Sequence, residues 1–281
     1  MDLPTLTGTK IDGIEVAKDV KKRVSLAVTQ LKSEGIIPCL ATILIGENQA
    51  SATYVRNKHV ACTEVGIETK DHKLSSDISQ NELNQLIDKL NDDNTVHGIL
   101  IQLPLPSQLD EFETTSRIFP TKDVDGLTPH NVGLLSMGKA VLKACTPSGI
   151  MEMFEYYNID LVGKPLYHLL LQKNATVSTC HSKTKNLIEQ CRSADIIITA
   201  VGDRTKFTLT PDMIKENSIV IDVAIIRHEG KLVGDADFSK IIETTSYATP
   251  VPGGVGPMTV AMLLKNTVTA ATLSKGIVNQ N

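Results

Sequence analysis

The sequence predicts an α/β protein of two domains, and three features of the chain carry that prediction. The apolar run Cys39–Ile45 is short and unbroken, which is typical of a strand buried on both faces. Apolar residues recur at helical spacing in the segments around it, as βαβ units require. Residues 249–259 contain three glycines and three prolines, so this loop is neither ordinary helix nor central strand.

Bulk composition excludes several classes of protein. A length of 281 residues is enough for about two domains, and 41% hydrophobic and 21% charged residues are typical of a globular protein. A net charge of −4 and a pI near 6.0 argue against a general nucleic-acid or anionic-membrane binder. No apolar run is long enough for a membrane span, and we find no signal-peptide pattern. We therefore expect a cytoplasmic protein without nucleic-acid or membrane partners.

The five cysteines are scattered and form no CxxC pair. They indicate reduced thiols, without a disulfide framework or a metal site. Cys145, Cys180 and Cys191 are possible nucleophiles, but small buried apolar side chains are the favoured interpretation.

Two series of alternating strands and helices imply parallel βαβ units. The pattern Ser-x-x-Glu at Ser79–Glu82 predicts a capping box. A loop-rich region separates the two series, and we place the domain boundary near residues 140–150. The predicted elements of the first series are a helix over Ile14–Lys32, strands over Cys39–Ile45, Ile67–Leu74 and Val96–Leu103, and helices over Ser51–Val65 and Leu83–Leu90. Those that follow are a loop over Pro120–Pro147, strands over Ala175–Cys180, Asp195–Val201, Ser218–Val223 and Tyr247–Ala248, and helices over Ser148–Tyr157, Lys185–Arg192, Pro211–Glu216 and Met258–Leu273.

Tyr54 and Lys58 stand four residues apart on a predicted helix and therefore share a face. A partly desolvated lysine beside an aromatic ring has a lowered pKa, which suits proton transfer. Gln102 lies at the carboxyl end of a predicted strand, where its amide can bond the Lys58 amine. The alternative is an exposed lysine whose stem lies on the tyrosine.

Two further segments are candidates for chemistry. Asp123 and Asp125 flank Val124, and paired carboxylates can serve acid–base chemistry or bind an amidine-like heterocycle; a solvated turn with Asx bonds is the alternative. Ser182 and Lys183 follow a predicted strand and would suit the 2′-phosphate of a dinucleotide, although Ser182 or Thr184 as a helix N-cap is equally compatible. His97 lies within a predicted strand, so we expect it to be a core histidine whose hydrogen bonds are made.

Together these segments resemble one family, the methylenetetrahydrofolate dehydrogenase/methenyltetrahydrofolate cyclohydrolases. The resemblance runs through almost the whole chain in the family's order. The matching motifs are Tyr54-Val55-Arg56-Asn57-Lys58, Val96–Pro106, Lys122–Gly126, Cys145-Thr146-Pro147, Cys180–Thr184 and residues 249–259.

The resemblance implies a three-layer αβα catalytic domain that binds folate, a Rossmann-like NAD(P)-binding domain, and a cleft between them. It assigns residues 1–144 to the first domain and 145–257 to the second, with the helix 258–281 packing back on the first. It also implies NADP (or NAD) as cofactor, tetrahydrofolate derivatives as substrates, a homodimer, and a role in one-carbon metabolism and purine biosynthesis.

The resemblance further assigns site residues. Lys58 matches the essential lysine, Gln102 the glutamine that tunes it, Tyr54 the ring that stacks on folate, and Asp125 the carboxylate that holds the pterin. These four are the candidate catalytic residues, and no metal is implied. The other candidates are Pro252, Gly253 and Gly256 for substrate, and Thr146, Ser182, Val201, Gly202, Val223, Ile225 and Thr259 for cofactor.

The chain departs from the family on the cofactor side. Residues 159–171 keep a Val-Gly-Lys-Pro segment, but lack the preceding strand and the Gly-Arg-Ser phosphate loop, a shortfall of about a dozen residues. Val223-Ala224-Ile225 also stands where the family has Gly-Ile-Asn after its strand.

Three accounts of the shortfall are open. The segment can be present in the protein but missing from this sequence, which we favour because the loss of an interior parallel strand is costly. Leu166–Leu171 can replace the strand at the sheet edge, or the chain can be a cofactor-impaired form. Three functions are open: a bifunctional enzyme using NADP, which is the main hypothesis; a cyclohydrolase alone, with oxidation lost along with the phosphate loop; and a catalytically silent folate-binding or oligomer-partner subunit.

Overall fold

The structure, a computed structural model of the chain, describes residues 8–159, 169–170 and 175–278. These residues confirm the predicted α/β class, with parallel sheets and surrounding helices. They divide into two compact units, which we call the first and second unit. The first unit contains Lys18–Ser148 and the chain from Val260 onward, and the second contains the described residues up to Ala17 together with Gly149–Thr259.

The helices and strands follow one another along the chain in this order. The first half contains β1 (Thr9–Lys10), α1 (Gly13–Ser33), β2 (Cys39–Ile45), α2 (Gln49–Val65), β3 (Glu68–Leu74), α3 (Gln80–Asp92), β4 (Gly98–Ile101), α4 (Glu111–Ser116), α5 (Pro129–Ser136) and α6 (Cys145–Tyr156). The second half contains α7 (Leu187–Ser193), β5 (Ile196–Thr199), a 3-10 turn (Pro211–Met213), β6 (Ile219–Asp222), β7 (Ile226–His228), β8 (Lys231–Val233), α8 (Phe238–Ile241), β9 (Tyr247–Ala248) and α9 (Val255–Val278).

The first unit is built around a parallel sheet of order β3-β2-β4. Every residue of β2 is buried, as its unbroken apolar run predicts. Both bonds of the predicted capping box are formed, since Ser79 Oγ accepts from the Glu82 amide and the Glu82 carboxylate accepts from the Ser79 amide. Leu83, Ile87 and Leu90 on α3 are therefore directed into the core beside β2 and β4.

The region predicted as loop over 120–147 contains a helix, so that prediction was wrong in part. Helix α5 begins at Pro129 because the Thr128 side chain accepts from the Asn131 amide and proline suits the first turn. The short helix α4 was also missed. Each has few apolar residues at helical spacing, so periodicity gives little signal for either.

The second unit contains a parallel sheet of order β1-β9-β6-β5 and an antiparallel hairpin, β7-β8. The core lies against β5, β6 and β9 and includes Leu209, Val220 and Ile241. Strands β1, β7 and β8 and helix α8 were not predicted, because each has four residues or fewer. The helix predicted over Pro211–Glu216 is reduced to the single 3-10 turn.

The strand predicted over Ala175–Cys180 was wrong. These residues adopt no regular structure, and most of them are exposed. A strand needs a neighbouring strand for its backbone groups, and none of the described strands pairs with this segment. The prediction that Leu166–Leu171 replaces a missing edge strand falls, apart from two residues, outside the described part of the chain.

The proline- and glycine-rich loop follows β9 and is fixed at both ends within the second unit. The Thr249 amide donates to Val220 O (3.0 Å), and Thr249 Oγ1 accepts from the Asp222 amide (2.7 Å). At its far side Gly253 O accepts from the Gly13 amide (2.9 Å). A Cβ at Gly13 would lie 1.8 Å from Gly254 O, so this close backbone approach requires glycine.

We expect Gly13→Ala to lower the free energy of unfolding by about 1–3 kcal/mol, because backbone atoms must move to admit the methyl group. Urea denaturation would measure the loss. Gly133→Ala is the matched control: it lies in α5 with nothing within 4 Å of the added Cβ, so it should leave stability unchanged or raise it slightly. Equal stability of the two variants would contradict the proposed contact with Gly254.

Candidate active site

Lys58 lies near the middle of α2 and is directed toward the carboxyl end of β4. Its Nζ donates to Gln102 Oε1 at 3.1 Å, which is the hydrogen bond expected from the sequence. Gln102 Nε2 donates to Leu103 O at 2.8 Å, so the amide is held with its oxygen toward the lysine. Tyr54, one turn earlier on α2, is 45% exposed and lies on the same face of the helix as Lys58.

Burial and the neighbouring charges shift the pKa of Lys58 in opposite directions. Burial lowers the pKa of its amine, while the nearby Asp125 carboxylate and Cys145 thiol raise it to a lesser extent. Burial likewise raises the pKa of Asp125, and Lys58 and Cys145 oppose that rise. The interpretation of Lys58 as an exposed surface lysine is therefore wrong. In both groups burial disfavours the charged form, and the attraction between the two charges opposes that effect.

Asp123 and Asp125 have different surroundings. The Asp123 carboxylate is 2% exposed and accepts five hydrogen bonds. Its Oδ1 accepts from the amides of Gly126 (2.9 Å) and Leu127 (3.1 Å). Its Oδ2 accepts from the Thr128 amide (2.8 Å), Thr128 Oγ1 (2.8 Å) and Asn131 Nδ2 (2.9 Å). Asp123 is thus a buried structural residue: the turn with Asx bonds considered from the sequence is formed, but its carboxylate is buried instead of solvated.

The segment containing Asp125 lies beside β4. The Ile99 amide donates to Lys122 O (2.8 Å), and Val124 packs against Gly98, where a Cβ would lie 2.5 Å from Val124 Cγ1. This pairing brings Asp125 to the same end of the strand as Gln102. Lys58, Gln102 and Asp125 are therefore brought together by three elements that are distant in sequence.

The structure also tests the prediction that His97 is a core residue and the question whether any cysteine is a nucleophile. His97 Nδ1 accepts from the Cys39 amide (3.2 Å), and burial lowers its pKa, as expected for a core histidine. Burial also raises the pKa of the Cys145 thiol well above its ordinary value, which argues against a nucleophile. Burial raises the pKa of Cys191, and Cys180 is exposed.

Most of the candidate cofactor residues lie at the carboxyl edge of the sheet in the second unit. Val201 and Gly202 follow β5, while Val223 and Ile225 follow β6. Gly256 is adjacent, since a Cβ there would lie 3.4 Å from Ile225 Cδ1; it lies in the first turn of α9, which begins within the stretch 249–259 that the sequence predicted as loop. The structure therefore places loop and strand ends together at this edge.

The other candidates are more scattered. Pro252 and Gly253 lie on the loop before α9, and Thr259 lies on α9 itself. Thr146 is in the first turn of α6. Ser182 is in an exposed turn, and neither Ser182 nor Thr184 caps a helix, because α7 begins after Asn186.

The edge of the second unit fits one end of a dinucleotide. Val201 and Ile225 are 52% and 43% exposed, and Gly202 has a φ of +71° with nothing within 4 Å of the position that a Cβ would take. This combination of apolar surface and open backbone suits a nicotinamide ring and its ribose. Within residues 175–278 the glycine-rich turn between a strand and a helix is residues 249–254, between β9 and α9, and its residues are the substrate candidates; the described residues contain no second turn of this kind to hold the phosphates.

Two site residues were not predicted from the sequence. Asp235, fully buried, accepts from the amides of Val201 (2.6 Å) and Gly202 (3.0 Å) and so fixes the turn after β5. Asn266 on α9 donates to Val124 O and Lys143 O, both at 2.8 Å. Asp235 has only a weak turn signal in Gly-Asp, and Asn266 is one polar residue in an apolar helix.

Fold and site together define an α/β enzyme with a half-buried lysine, an amide that accepts a hydrogen bond from it and a nearby carboxylate. Two family models match this chain. Residues 11–125 match the catalytic domain of tetrahydrofolate dehydrogenase/cyclohydrolase, and residues 144–275 match its NAD(P)-binding domain. The chain belongs to the tetrahydrofolate dehydrogenase/cyclohydrolase family, which confirms the resemblance found in the sequence.

Similar proteins support this membership. The bifunctional protein FolD of Nitrosopumilus maritimus (strain SCM1) is 69% identical over 285 residues, covering 97% of this chain and 99% of that protein. The crystal structure of bifunctional FolD from Campylobacter jejuni has a TM-score of 0.89 at 46% identity, covering 95% and 99% of the two chains. FolD of Trypanosoma brucei, solved with NADP cofactor and inhibitor, has a TM-score of 0.89 at 34% identity, covering 95% and 98%.

This chain is shorter than the Nitrosopumilus protein within the aligned region. The alignment with the Nitrosopumilus protein has 285 positions, whereas 97% of 281 residues is about 273 residues. About a dozen aligned positions therefore have no counterpart in this sequence. That number equals the shortfall that the motif comparison predicts on the cofactor side.

We expect Asp123→Asn and Asp125→Asn to have opposite effects on stability. Asn at 123 would direct an NH2 group at donors, so we expect the free energy of unfolding to fall by about 2–4 kcal/mol. Asn at 125 should leave it unchanged or raise it, because burial already disfavours that carboxylate. Urea denaturation at neutral pH would measure both, and equal losses would contradict the division of roles.

Proposed function

We propose that this chain oxidises N5,N10-methylenetetrahydrofolate to the methenyl cation with NADP and hydrolyses that cation to 10-formyltetrahydrofolate. The observation that carries the proposal is the Lys58–Gln102 hydrogen bond beside Asp125. Membership of a dehydrogenase/cyclohydrolase family and the similarity to bifunctional FolD proteins support it. Both products belong to one-carbon metabolism.

Lys58 is proposed to move the proton in hydrolysis. Water that attacks the methenyl carbon must lose a proton before the ring opens, and a neutral amine can accept it. Burial favours the neutral form of Lys58, so more of it is present near neutral pH than for an ordinary lysine. Gln102 Oε1 accepts a hydrogen bond from the amine and keeps it in place.

The other proposed substrate residues bind and orient. The Tyr54 ring offers an exposed face for stacking on the folate. Asp125 presents a carboxylate that is not used to hold the turn around it, and this suits the N–H groups of a pterin. Pro252, Gly253 and Gly256 contribute a backbone-rich surface that a ligand can approach closely.

Bound NADP would supply the hydride acceptor for the oxidation. Val201, Gly202, Val223 and Ile225 are proposed to hold its nicotinamide and ribose at the edge of the second unit. Thr146, Ser182 and Thr259 are proposed as further contacts. These residues supply position and exclude water, and they supply no redox group of their own.

A second candidate function is cyclohydrolase activity without oxidation. It is favoured by three observations: apart from residues 249–254, no glycine-rich turn joins a strand to a helix within residues 175–278; Ala175–Cys180 pairs with none of the described strands; and about a dozen positions of the aligned relative have no counterpart in this sequence. Weak phosphate binding would impair NADP affinity, whereas the hydrolysis residues of the first unit would be unaffected.

A cytoplasmic homodimer is also part of the proposal, together with the absence of nucleic-acid and membrane partners. No helix in the described ranges is long and apolar enough to cross a bilayer. The five cysteines are free thiols in the structure, which suits a reducing compartment. Light scattering on the purified protein would give the oligomeric state.

We expect purified protein to hydrolyse methenyltetrahydrofolate and, with NADP, to oxidise methylenetetrahydrofolate. The absorbance of the methenyl compound measures the rates of both reactions. Lys58→Met should lower hydrolysis by about 10²–10⁴-fold, because the proton acceptor is lost. The variant should remain as stable as the wild type, since it removes a partly buried charge. Exposed Lys73→Met is the matched control and should retain full activity.

The outcomes separate the hypotheses. Hydrolysis without oxidation by either NADP or NAD would favour the cyclohydrolase alone. Folate binding without Lys58-dependent turnover would indicate a silent binding subunit. An intact mass of 30.5 kDa would show that the active protein has no additional internal segment.

Gln102→Glu should shift the acidic limb of the hydrolysis pH profile to higher pH. A carboxylate in place of the amide favours the charged amine and raises the pKa of Lys58, so less neutral amine is present at pH 7. We expect roughly a tenfold loss of rate at neutral pH with partial recovery at alkaline pH. Exposed Gln108→Glu is the control, and an unshifted limb in Gln102→Glu would exclude Lys58 as the titrating group.

A further inference from the structure

Asn266 is a buried polar residue on the apolar helix α9, and the proposed chemistry does not use it. It is 6% exposed, whereas Ala270, Ala271 and Leu263 near it on the helix are apolar and buried. Burial of an amide is unfavourable unless its hydrogen bonds are made. Asn266 is therefore expected to have a specific polar partner.

The partners of Asn266 are the two segments that meet beside Asp125. Its Nδ2 donates to Val124 O and Lys143 O, each at 2.8 Å, so both of its protons are used. Nδ2 also lies 3.6 Å from Cys145 Sγ, and that thiol donates to Val124 O at 3.3 Å. One side chain thus joins the segment before Asp125 to the segment that leads into α6.

The two segments are already in close contact. Gly126 has a φ of +71°, and a Cβ there would lie 2.4 Å from the Ala144 amide nitrogen and 2.5 Å from Lys143 C. The carbonyl of Val124 belongs to the peptide group that ends at the Asp125 nitrogen. A hydrogen bond to that oxygen fixes the peptide plane and hence the direction in which the Asp125 side chain leaves the backbone.

We propose that Asn266 is a positioning residue that sets the orientation of Asp125 toward the substrate. The inference rests on the proposed function, in which Asp125 binds the pterin. Asp123 fixes the turn after Asp125 through the amides of Gly126, Leu127 and Thr128. Asn266 fixes the peptide before Asp125, so the residue is held from both sides.

The test compares two buried asparagines of the first unit. Asn266→Leu removes both hydrogen bonds to the carbonyls. Asn91→Leu is the matched control, because Asn91 is 5% exposed and bonds Arg117 O and the Phe119 amide, away from Asp125. Affinity for tetrahydrofolate is measured by calorimetry, KM and kcat for methenyltetrahydrofolate hydrolysis by absorbance, and stability by urea denaturation.

We expect both variants to lose stability, but only Asn266→Leu to bind tetrahydrofolate about tenfold more weakly, with a matching rise in KM and kcat within about threefold. In the Asp125→Asn background, Asn266→Leu should change the Kd by less than about twofold, because Asn266 acts through Asp125. A similar KM rise in both leucine variants, or the full tenfold effect without Asp125, would overturn the proposal.

A second variant and a fallback comparison cover the cases in which Asn266→Leu does not fold or Asp125→Asn binds too weakly. If Asn266→Leu does not fold, Asn266→Ser is used, because one hydroxyl donor can keep only one of the two carbonyl bonds; an unchanged Kd in that variant would overturn the proposal. If binding to Asp125→Asn is too weak to measure, the comparison with Asn91→Leu decides. Wild-type protein that does not bind tetrahydrofolate would instead refute the proposed function.

Discussion

The arrangement of the candidate site depends on the hydrogen bonds that the buried Asp123 carboxylate accepts. Three backbone amides, a hydroxyl and a side-chain amide surround two oxygens, so a charge that would be unfavourable in the interior is satisfied without a cation. The turn Asp123–Thr128 is thereby fixed in one conformation. The Asp125 carboxylate, within that turn, bonds the Cys145 thiol instead of the amides of the turn.

That division of roles gives Lys58 its unusual setting. Burial lowers the pKa of Lys58 and raises that of Asp125, while their mutual attraction works against both shifts. The ionised pair and the neutral pair are thus closer in free energy than they would be in water. A substrate cation that enters beside them can shift this balance toward the neutral amine, which a base requires. Gln102 keeps the amine in position whichever form is present.

Much of this site could be predicted from the sequence, because its residues occupy regular elements. The helix carrying Tyr54 and Lys58 was predicted with its end at Gly66, and the strand ending near Gln102 with its end at the prolines that follow. Asp123 and Asp125 could not be told apart, since their difference arises from amides that a turn brings together. Asn266 was missed because its partners lie more than a hundred residues away. Ala175–Cys180 has a strand-like sequence, but a strand also needs a neighbour, which local sequence does not specify.

The pairing of the second sheet explains why a shortfall on the cofactor side would spare much of the site. Strands β1, β9, β6 and β5 pair with one another in that order, so each has at least one partner without the missing segment. Val201, Gly202, Val223 and Ile225 follow β5 and β6, and Asp235 fixes the turn that holds the first two. Lys58 and Asp125 depend on the other sheet. We therefore expect a shortfall in this region to affect cofactor binding, so that separate measurements of hydrolysis and oxidation would distinguish the two activities.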